Sequence, residues 1–245
     1  MNVLVTGGAK RLGAAIVRAL AAAGHRPVIH YGTSREEAEA LAREVDGVVV
    51  EGDLADLAAI PALFARAREV AGGEIAGLVN SASRFEEDRP DAIDAGLAAR
   101  LHAINTLAPA LLTAELAKQG GEGAVVNLLD QKLANPNPDF FSYSLTKYAL
   151  EGATTMLAQA FAPRVRVNAV SPGLTLPSGD QSEAAFDRVA RMNLLDRPVG
   201  ARNVAAAVVY LLEARSVTGQ NLFVDCGQRF CRRDGDVMFE GQARG

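Results

Sequence analysis

The chain has 245 residues, of which 49% are hydrophobic and 22% charged, enough for one large core or two small ones. Its 25 Lys+Arg against 29 Asp+Glu give a formal charge of -4, and the absence of any basic block argues against a nucleic-acid partner. No charge-free apolar run approaches the roughly 18 to 20 residues that span a bilayer, and the opening residues read as a strand rather than a signal peptide, so a cytoplasmic protein with no membrane contact is expected.

Apolar runs of strand character alternate with Ala-rich helical runs throughout. Val3–Val5 reads as a strand, Leu12–Ala23 as a helix stopping at Gly24, and Pro27–His30 as a second strand. A helix over Arg35–Val45, a strand at Val48–Val50, a helix near Asp56–Val70 and a strand at Ile75–Asn80 follow. Then come a long helix around Leu97–Ala117, a strand at Ala124–Leu129, a helix over Tyr143–Ala162, a strand at Val165–Val170, a helix over Val204–Leu212 and a last strand at Leu222–Val224. Strands joined by crossover helices are parallel and covered on both faces, so the spacing predicts one α/β domain over 1–245 with a doubly wound sheet. The stretch 228–245 has mixed charge and little periodicity and reads as a tail.

The first strand runs directly into Thr6-Gly7-Gly8-Ala9-Lys10-Arg11-Leu12-Gly13, which opens the first helix. Free N–H groups and the helix dipole at such a junction make an anion site, and a dinucleotide pyrophosphate is the expected occupant. The pattern departs from G-x-G-x-x-G because Arg11 replaces the middle glycine, and an ordinary tight turn is the plainer alternative. Lys10 and Arg11 favour the anion site. At the end of the second strand, where NAD-binding relatives of this fold carry an acid, the chain reads His30-Tyr31-Gly32-Thr33-Ser34-Arg35. Hydroxyls and Arg35, with Lys10 nearby, suit a 2′-phosphate, so NADPH is favoured over NADH; Thr33 and Ser34 are also placed to cap the next helix.

Tyr143 and Lys147 lie four apart at the start of a helix and share a face, after a strand ending in Asp130. Such a pair is usually solvated, but in a chain with a dinucleotide turn it points to chemistry. An ammonium beside a phenol is expected to lower the phenol's pKa and make Tyr143 a proton donor and acceptor near neutral pH.

The turn Thr6–Gly13, Asn80-Ser81-Ala82-Ser83, Asn105, Tyr143-x-x-x-Lys147 and Ser171-Pro172-Gly173, in this order, resemble the short-chain dehydrogenase/reductases over nearly the whole chain. The resemblance implies a Rossmann-like sheet of seven strands, a homotetramer, proton exchange by Tyr143, and a grip on the nicotinamide ribose by Lys147. It further implies that Asn105 anchors a relay water, that Asp53-Leu54 contacts adenine, and that Gly7, Lys10, Arg11, Leu12, Gly13, Tyr31, Thr33, Ser34, Asn80, Ser81, Ala82, Pro172 and Gly173 line the cofactor. Most members place a serine thirteen residues before the tyrosine, where this chain has Asp130. Asp130, Lys10-Arg11-Leu12-Gly13, the hydroxyl-bearing loop Tyr31–Ser34, and Ser83 followed by Phe85 are similar to the pteridine reductases. That resemblance implies a pterin stacked on Phe85 and held by Arg11 and Ser83.

Reduction of a C=N bond needs hydride at carbon and a proton at nitrogen. Asp130 and Tyr143 suit that proton path, with the carboxylate either feeding the phenol or holding an exocyclic amine. The expected activity is NADPH-dependent reduction of a pterin or dihydropterin. Alternatives are a small-carbonyl reductase and, less favoured because both Tyr143 and Lys147 are kept, a non-catalytic NADP(H) sensor.

Elsewhere, His25, His30 and His102 read as structural, Glu86-Glu87-Asp88 as a solvated run or the rim of a pocket, and Leu174–Asp187 as a lid. Cys226 and Cys231 read as packing residues, and no metal site is expected.

Overall fold

The computed structural model describes residues 1–177, 183–233, 235 and 236. Seven strands, β1 Asn2–Thr6, β2 Arg26–Tyr31, β3 Val48–Glu51, β4 Ile75–Asn80, β5 Gly123–Leu128, β6 Val165–Pro172 and β7 Asn221–Val224, form one sheet in the order β3-β2-β1-β4-β5-β6-β7. Every pairing is parallel. This is the doubly wound sheet that the alternation of elements predicts.

Among the described residues eight helices flank it: α1 Arg11–Ala22, α2 Arg35–Val45, α3 Ile60–Ala71, α4 Ala95–His102, α5 Ala108–Lys118, α6 Phe141–Phe161, α7 Glu183–Ala190 and α8 Ala201–Glu213. Side chains alternate across a strand, so Val3 and Val5 pack with Ile16, Val17 and Leu20 of α1 and Val208 of α8. Leu4 and Leu78 face the other way, against Leu63 of α3 and Leu112 and Leu116 of α5. Both faces are apolar because both are covered, which is why the strands read as continuous Val/Leu/Ile runs.

Two differences from the expected elements affect the site. The single helix expected over Leu97–Ala117 is interrupted by a π-turn at Ala103–Leu107 that contains Asn105. Pro109 follows within the first turn of α5 and cannot supply the N–H that an α-helix would aim at the Asn105 carbonyl. Helix α7 was not expected at all. Its eight residues mix alanine with charge and hold few large apolar side chains, too short a pattern to stand out from a loop. Among the described residues no helix is long and apolar enough to cross a membrane.

Between β1 and β4 the strand order reverses, and the chain leaves their carboxyl ends in opposite directions, opening a crevice. His30 braces this point. Its Nδ1 accepts from the Gly7 N–H at 3.2 Å, its Nε2–H donates to the Gly52 carbonyl at 3.1 Å, and its own carbonyl accepts from the Gly8 N–H at 3.0 Å. This tautomer is the one that the two partners require. Burial lowers the imidazole pKa from 6.5 to about 4. The unfolded chain therefore binds the proton more readily, so His30's contribution is intact above pH 6.5 and is lost as pH falls towards about 4. Full loss corresponds to about 3 kcal/mol. Urea unfolding at neutral pH and near pH 4.5 should show a smaller acid-induced loss of stability in His30→Asn than in the unmodified protein; equal losses would show that His30 is not the acid-sensitive group.

Candidate active site in the crevice between β1 and β4

The turn after β1 is built for close approach. Gly7 has φ of +61°, and a Cβ on Gly13 would lie 2.1 Å from the Gly7 carbonyl oxygen. Neither position accepts a side chain without opening the turn. Arg11 takes the left-handed backbone of the glycine it replaces, with φ of +51°, at a cost of about 1 kcal/mol. Its guanidinium donates to the Pro177 carbonyl. Lys10 at the N-cap of α1 makes no side-chain cap, and no acid lies in the first turn, so the helix's leading N–H groups remain for an anion. Leu12 packs against the core on the α1 side.

At the end of β2 the structure corrects one expectation. The sequence has no acid there, but the register pairs Tyr31 with Glu51 of β3. Glu51 accepts from the Tyr31 hydroxyl at 3.3 Å and pairs with Arg35, while Lys10 pairs with Glu37 at 2.6 Å. All of these charged side chains are roughly half exposed, so each pair is weak and exchanges readily for a stronger anion. Ser34 occupies the N-cap of α2 with no side-chain cap bond, so the alternative use of its hydroxyl as a cap is not realised; Thr33 is exposed beside it.

Other expected cofactor residues gather at the strand ends. The Asn80 amide donates to Asn127 Oδ1 at 2.8 Å, while Asn80 Oδ1 is buried and has no partner among the described residues. Ser81 N–H donates to the Val79 carbonyl at 3.1 Å, Ala82 N–H to the Thr6 hydroxyl at 3.1 Å, and Gly173 N–H to the Val224 carbonyl at 3.0 Å. Pro172 closes β6. Asp53 holds the Ala55 N–H at 2.9 Å, and Leu54 is buried in the second core. An uncapped helix start, a side-chain-free cradle and an orphaned amide oxygen fit an extended anionic dinucleotide.

Arg11, Ser83, Phe85, Asp130 and Tyr143 line a single cavity of about 470 Å³ that also includes Pro172 and Gly173. Phe85 is 39% exposed, so it is not a core ring. It stacks on Phe140 with centroids 4.0 Å apart and meets Tyr143 edge-on at 4.7 Å. Phe140, Lys132, Gln228 and Asp236 were not expected near the site. Phe140 holds left-handed φ of +53° at the N-cap of α6, and Asp236 comes from the region read as a tail. Nothing local in the sequence announces either. A larger cleft, of about 620 Å³, lies at the amino ends of the strands and contains no candidate residue.

The Tyr143 hydroxyl donates to Asp130 Oδ2 at 2.8 Å, and Asp130 Oδ1 accepts from the Lys132 N–H at 2.9 Å. Burial first, then Asp130, push the phenol pKa well above 10, with Asp236 adding to the effect. This corrects the expectation that Lys147 lowers it. The Lys147 ammonium is 5.5 Å from the Tyr143 ring centroid, donates to the Leu128 carbonyl at 2.9 Å, and is itself brought by burial to a pKa of about 8. Burial also raises the Asp130 pKa. The phenol thus keeps its proton at neutral pH.

Asn105 is buried, and its side chain is committed to the backbone of Arg84 in both directions, at 2.8 and 2.9 Å, and to the Thr146 hydroxyl at 3.2 Å. Its side chain positions the Ser83–Phe85 segment. The acidic run also divides. Asp88, expected to be solvated, is buried and caps α6 by accepting from the Ser142 N–H at 2.8 Å. The first part of the segment expected as a lid, Leu174–Leu176, lines the cavity, whereas residues 178–182 lie outside the described residues, as do 234 and 237–245 of the tail.

Residues 7–229 match the family model described as enoyl-(acyl carrier protein) reductase. The chain belongs to the short-chain dehydrogenase/reductase family. Within that family it is 31% identical to pteridine reductase 1 of Leishmania tarentolae over 94% of this chain and 96% of that one. It is 28% identical to the 3-oxoacyl-[acyl-carrier-protein] reductase FabG of Staphylococcus aureus over 92% and 97%. The crystal structure of FolM alternative dihydrofolate reductase 1 from Brucella canis, complexed with NADP, shares 40% identity at a TM-score of 0.90, covering 96% of each chain.

Gly13→Ala tests the cradle of this short-chain dehydrogenase/reductase. The new methyl cannot coexist with the Gly7 carbonyl, so the turn must open, with overpacking costs of about 1 to 3 kcal/mol. Calorimetric titration should show NADP⁺ binding weakened at least about tenfold, and unchanged affinity would refute the cradle.

Proposed function

We propose that the protein is an NADPH-dependent reductase of pterins or dihydropterins. The observation that carries the reading is the hydrogen bond from Tyr143 to the Asp130 carboxylate at 2.8 Å, inside a cavity walled by an accessible aromatic ring and Arg11. A serine at position 130, common in the family, offers a hydroxyl to a carbonyl. A carboxylate instead offers a proton path, or an acceptor for ring N–H groups, and both suit a C=N bond in an amine-bearing heterocycle.

The leading N–H groups of α1 and Arg11 would hold the pyrophosphate. Thr33, Ser34, Lys10 and Arg35 would hold the 2′-phosphate, Asn80 and Lys147 the nicotinamide ribose, and Asp53 and Leu54 would flank the adenine. When bound, the cofactor supplies hydride to the ring carbon. Phe85 stacks the substrate on the face not covered by Phe140, and Ser83 and Arg11 hydrogen-bond its edge. Tyr143 passes its proton to the adjacent ring nitrogen, and the Asp130 carboxylate then takes up a proton from solvent and returns it to the phenolate. The proton belongs to the coupled pair rather than to either member. Asn105 sits in the π-turn, where the main chain departs from α-helical bonding, and the irregular backbone there is our assignment for the water that reconnects the pair to solvent.

The exposed Leu111, Leu145, Tyr148 and Met156 on α5 and α6 support assembly, which we take to be a homotetramer in the cytoplasm. Reduction of a carbonyl, as the name of the Staphylococcus aureus relative states for that protein, is the second reading. A non-catalytic sensor would have no need for the buried Tyr143–Asp130 pair.

NADPH oxidation measured against dihydropterins, dihydrofolate and small ketones decides between the two enzyme readings. Turnover of ketones with no dihydropterin reduced would overturn the proposal, and equal kcat/KM with NADPH and NADH would overturn the 2′-phosphate assignment. Tyr143→Phe should lower kcat by about 10²- to 10⁴-fold while leaving NADPH affinity intact, and Lys147→Ala should lower both. Asp130→Ser should cut kcat on dihydropterins and spare or improve that on a simple ketone. Wild-type kcat in Tyr143→Phe would remove Tyr143 as proton donor.

A further inference from the structure

The loop after β5 and the segment approaching residue 236 are joined inside the protein. Lys132 is 5% exposed, Asp139 2% and Asp236 8%. The Lys132 ammonium donates to the Asp139 carbonyl at 2.8 Å and to Asp236 Oδ2 at 3.1 Å, while the Asp236 N–H donates to Asp139 Oδ2 at 2.7 Å. A further bond, from the Asn135 amide to the Cys231 carbonyl at 2.9 Å, holds the same two segments together. Through its main chain Lys132 also donates to Asp130 Oδ1 at 2.9 Å. One residue thus orients two carboxylates, and both line the cavity beside Tyr143.

We propose that Asp236 determines substrate specificity, accepting hydrogen bonds from an exocyclic amine or amidine-like N–H edge of the heterocycle and rejecting ligands that present a carbonyl at that point. The inference rests on the pterin reading and divides the labour of the two carboxylates: Asp130 serves the phenol's proton and Asp236 serves recognition. A carboxylate has about four acceptor positions, so it can serve several donors at once. The buried ammonium pairs with Asp236 at 3.1 Å and aims it, as a buried ion requires a partner. A fixed carboxylate attracts a donor and repels an acceptor in the same place, so a swap of amine for oxo reverses the sign of the contact.

Pterin and lumazine differ by that swap at one ring carbon. Calorimetric titration of each into the NADP⁺-saturated protein should show pterin bound at least about tenfold more tightly. In Asp236→Asn, whose amide rotates to offer a donor to the oxo group, the ratio should contract to within about threefold. Asp236→Glu retains the charge and should retain the direction of the preference, with NADP⁺ affinity in each variant reporting on the integrity of the fold. In Lys132→Met the ratio should also contract, because Asp236 loses its anchor. Pterin binding by the unmodified protein with an unaltered ratio in Asp236→Asn would overturn this role for Asp236 alone. Failure of the unmodified protein to bind pterin at all would overturn the pterin reading and the inference with it.

Discussion

The closeness of α1 to β1 is the constraint on which the site depends. The helix can begin against the strand end only because positions 7 and 13 carry no side chain, and that proximity aims its leading N–H groups into the crevice. His30 reinforces the arrangement from the neighbouring strand by binding the N–H groups of Gly7 and Gly8. Arg11 is the exception that converts the cradle to a particular use. It accepts a strained backbone where glycine would relax, and in return a cation stands between the turn and the cavity. Strain held at such a point by the surrounding turn is typical of functional positions.

Electrostatics across the cavity follow from burial more than from pairing. Lys147 lies near Tyr143, but in a poorly solvated wall the cost of each isolated charge outweighs the attraction between neighbours. The ammonium is weakened, and the phenol holds its proton while donating a hydrogen bond to the Asp130 carboxylate. A buried donor whose proton is retained at neutral pH suits a reduction that must deliver a proton in step with hydride.

The alternation of apolar strands and Ala-rich helices made the sheet legible, and with it the crevice, because parallel strands place their carboxyl ends on one side. Arg11, Ser83, Phe85, Asp130 and Tyr143 were legible as a set through their order along the chain, and the fold brings them to one cavity. What escaped depends on contacts distant in sequence. Glu51 meets Tyr31 only through strand register, Phe140 reaches Phe85 by an unusual backbone, and Asp236 arrives from 104 positions beyond Lys132. The interrupted helix escaped for a local reason: the apolar periodicity around Asn105 continues through the π-turn, and only Pro109 marks it. The misjudged pKa of Tyr143 came from counting a neighbour's charge without its burial.

Strand order also bears on biosynthesis. β1 leaves the ribosome before the other six strands of this sheet, yet it lies between β2 and β4 in the finished sheet. It pairs with β2 early, but its other edge stays open until residues 75–80 have emerged. During that interval a strand with the apolar centre Val3–Val5 presents unpaired main-chain groups, the condition under which nascent chains pair with one another. Slowed elongation before β4, or a substitution that delays its docking, would therefore raise the demand for chaperones more than an equally destabilising change in β7 at the sheet's edge.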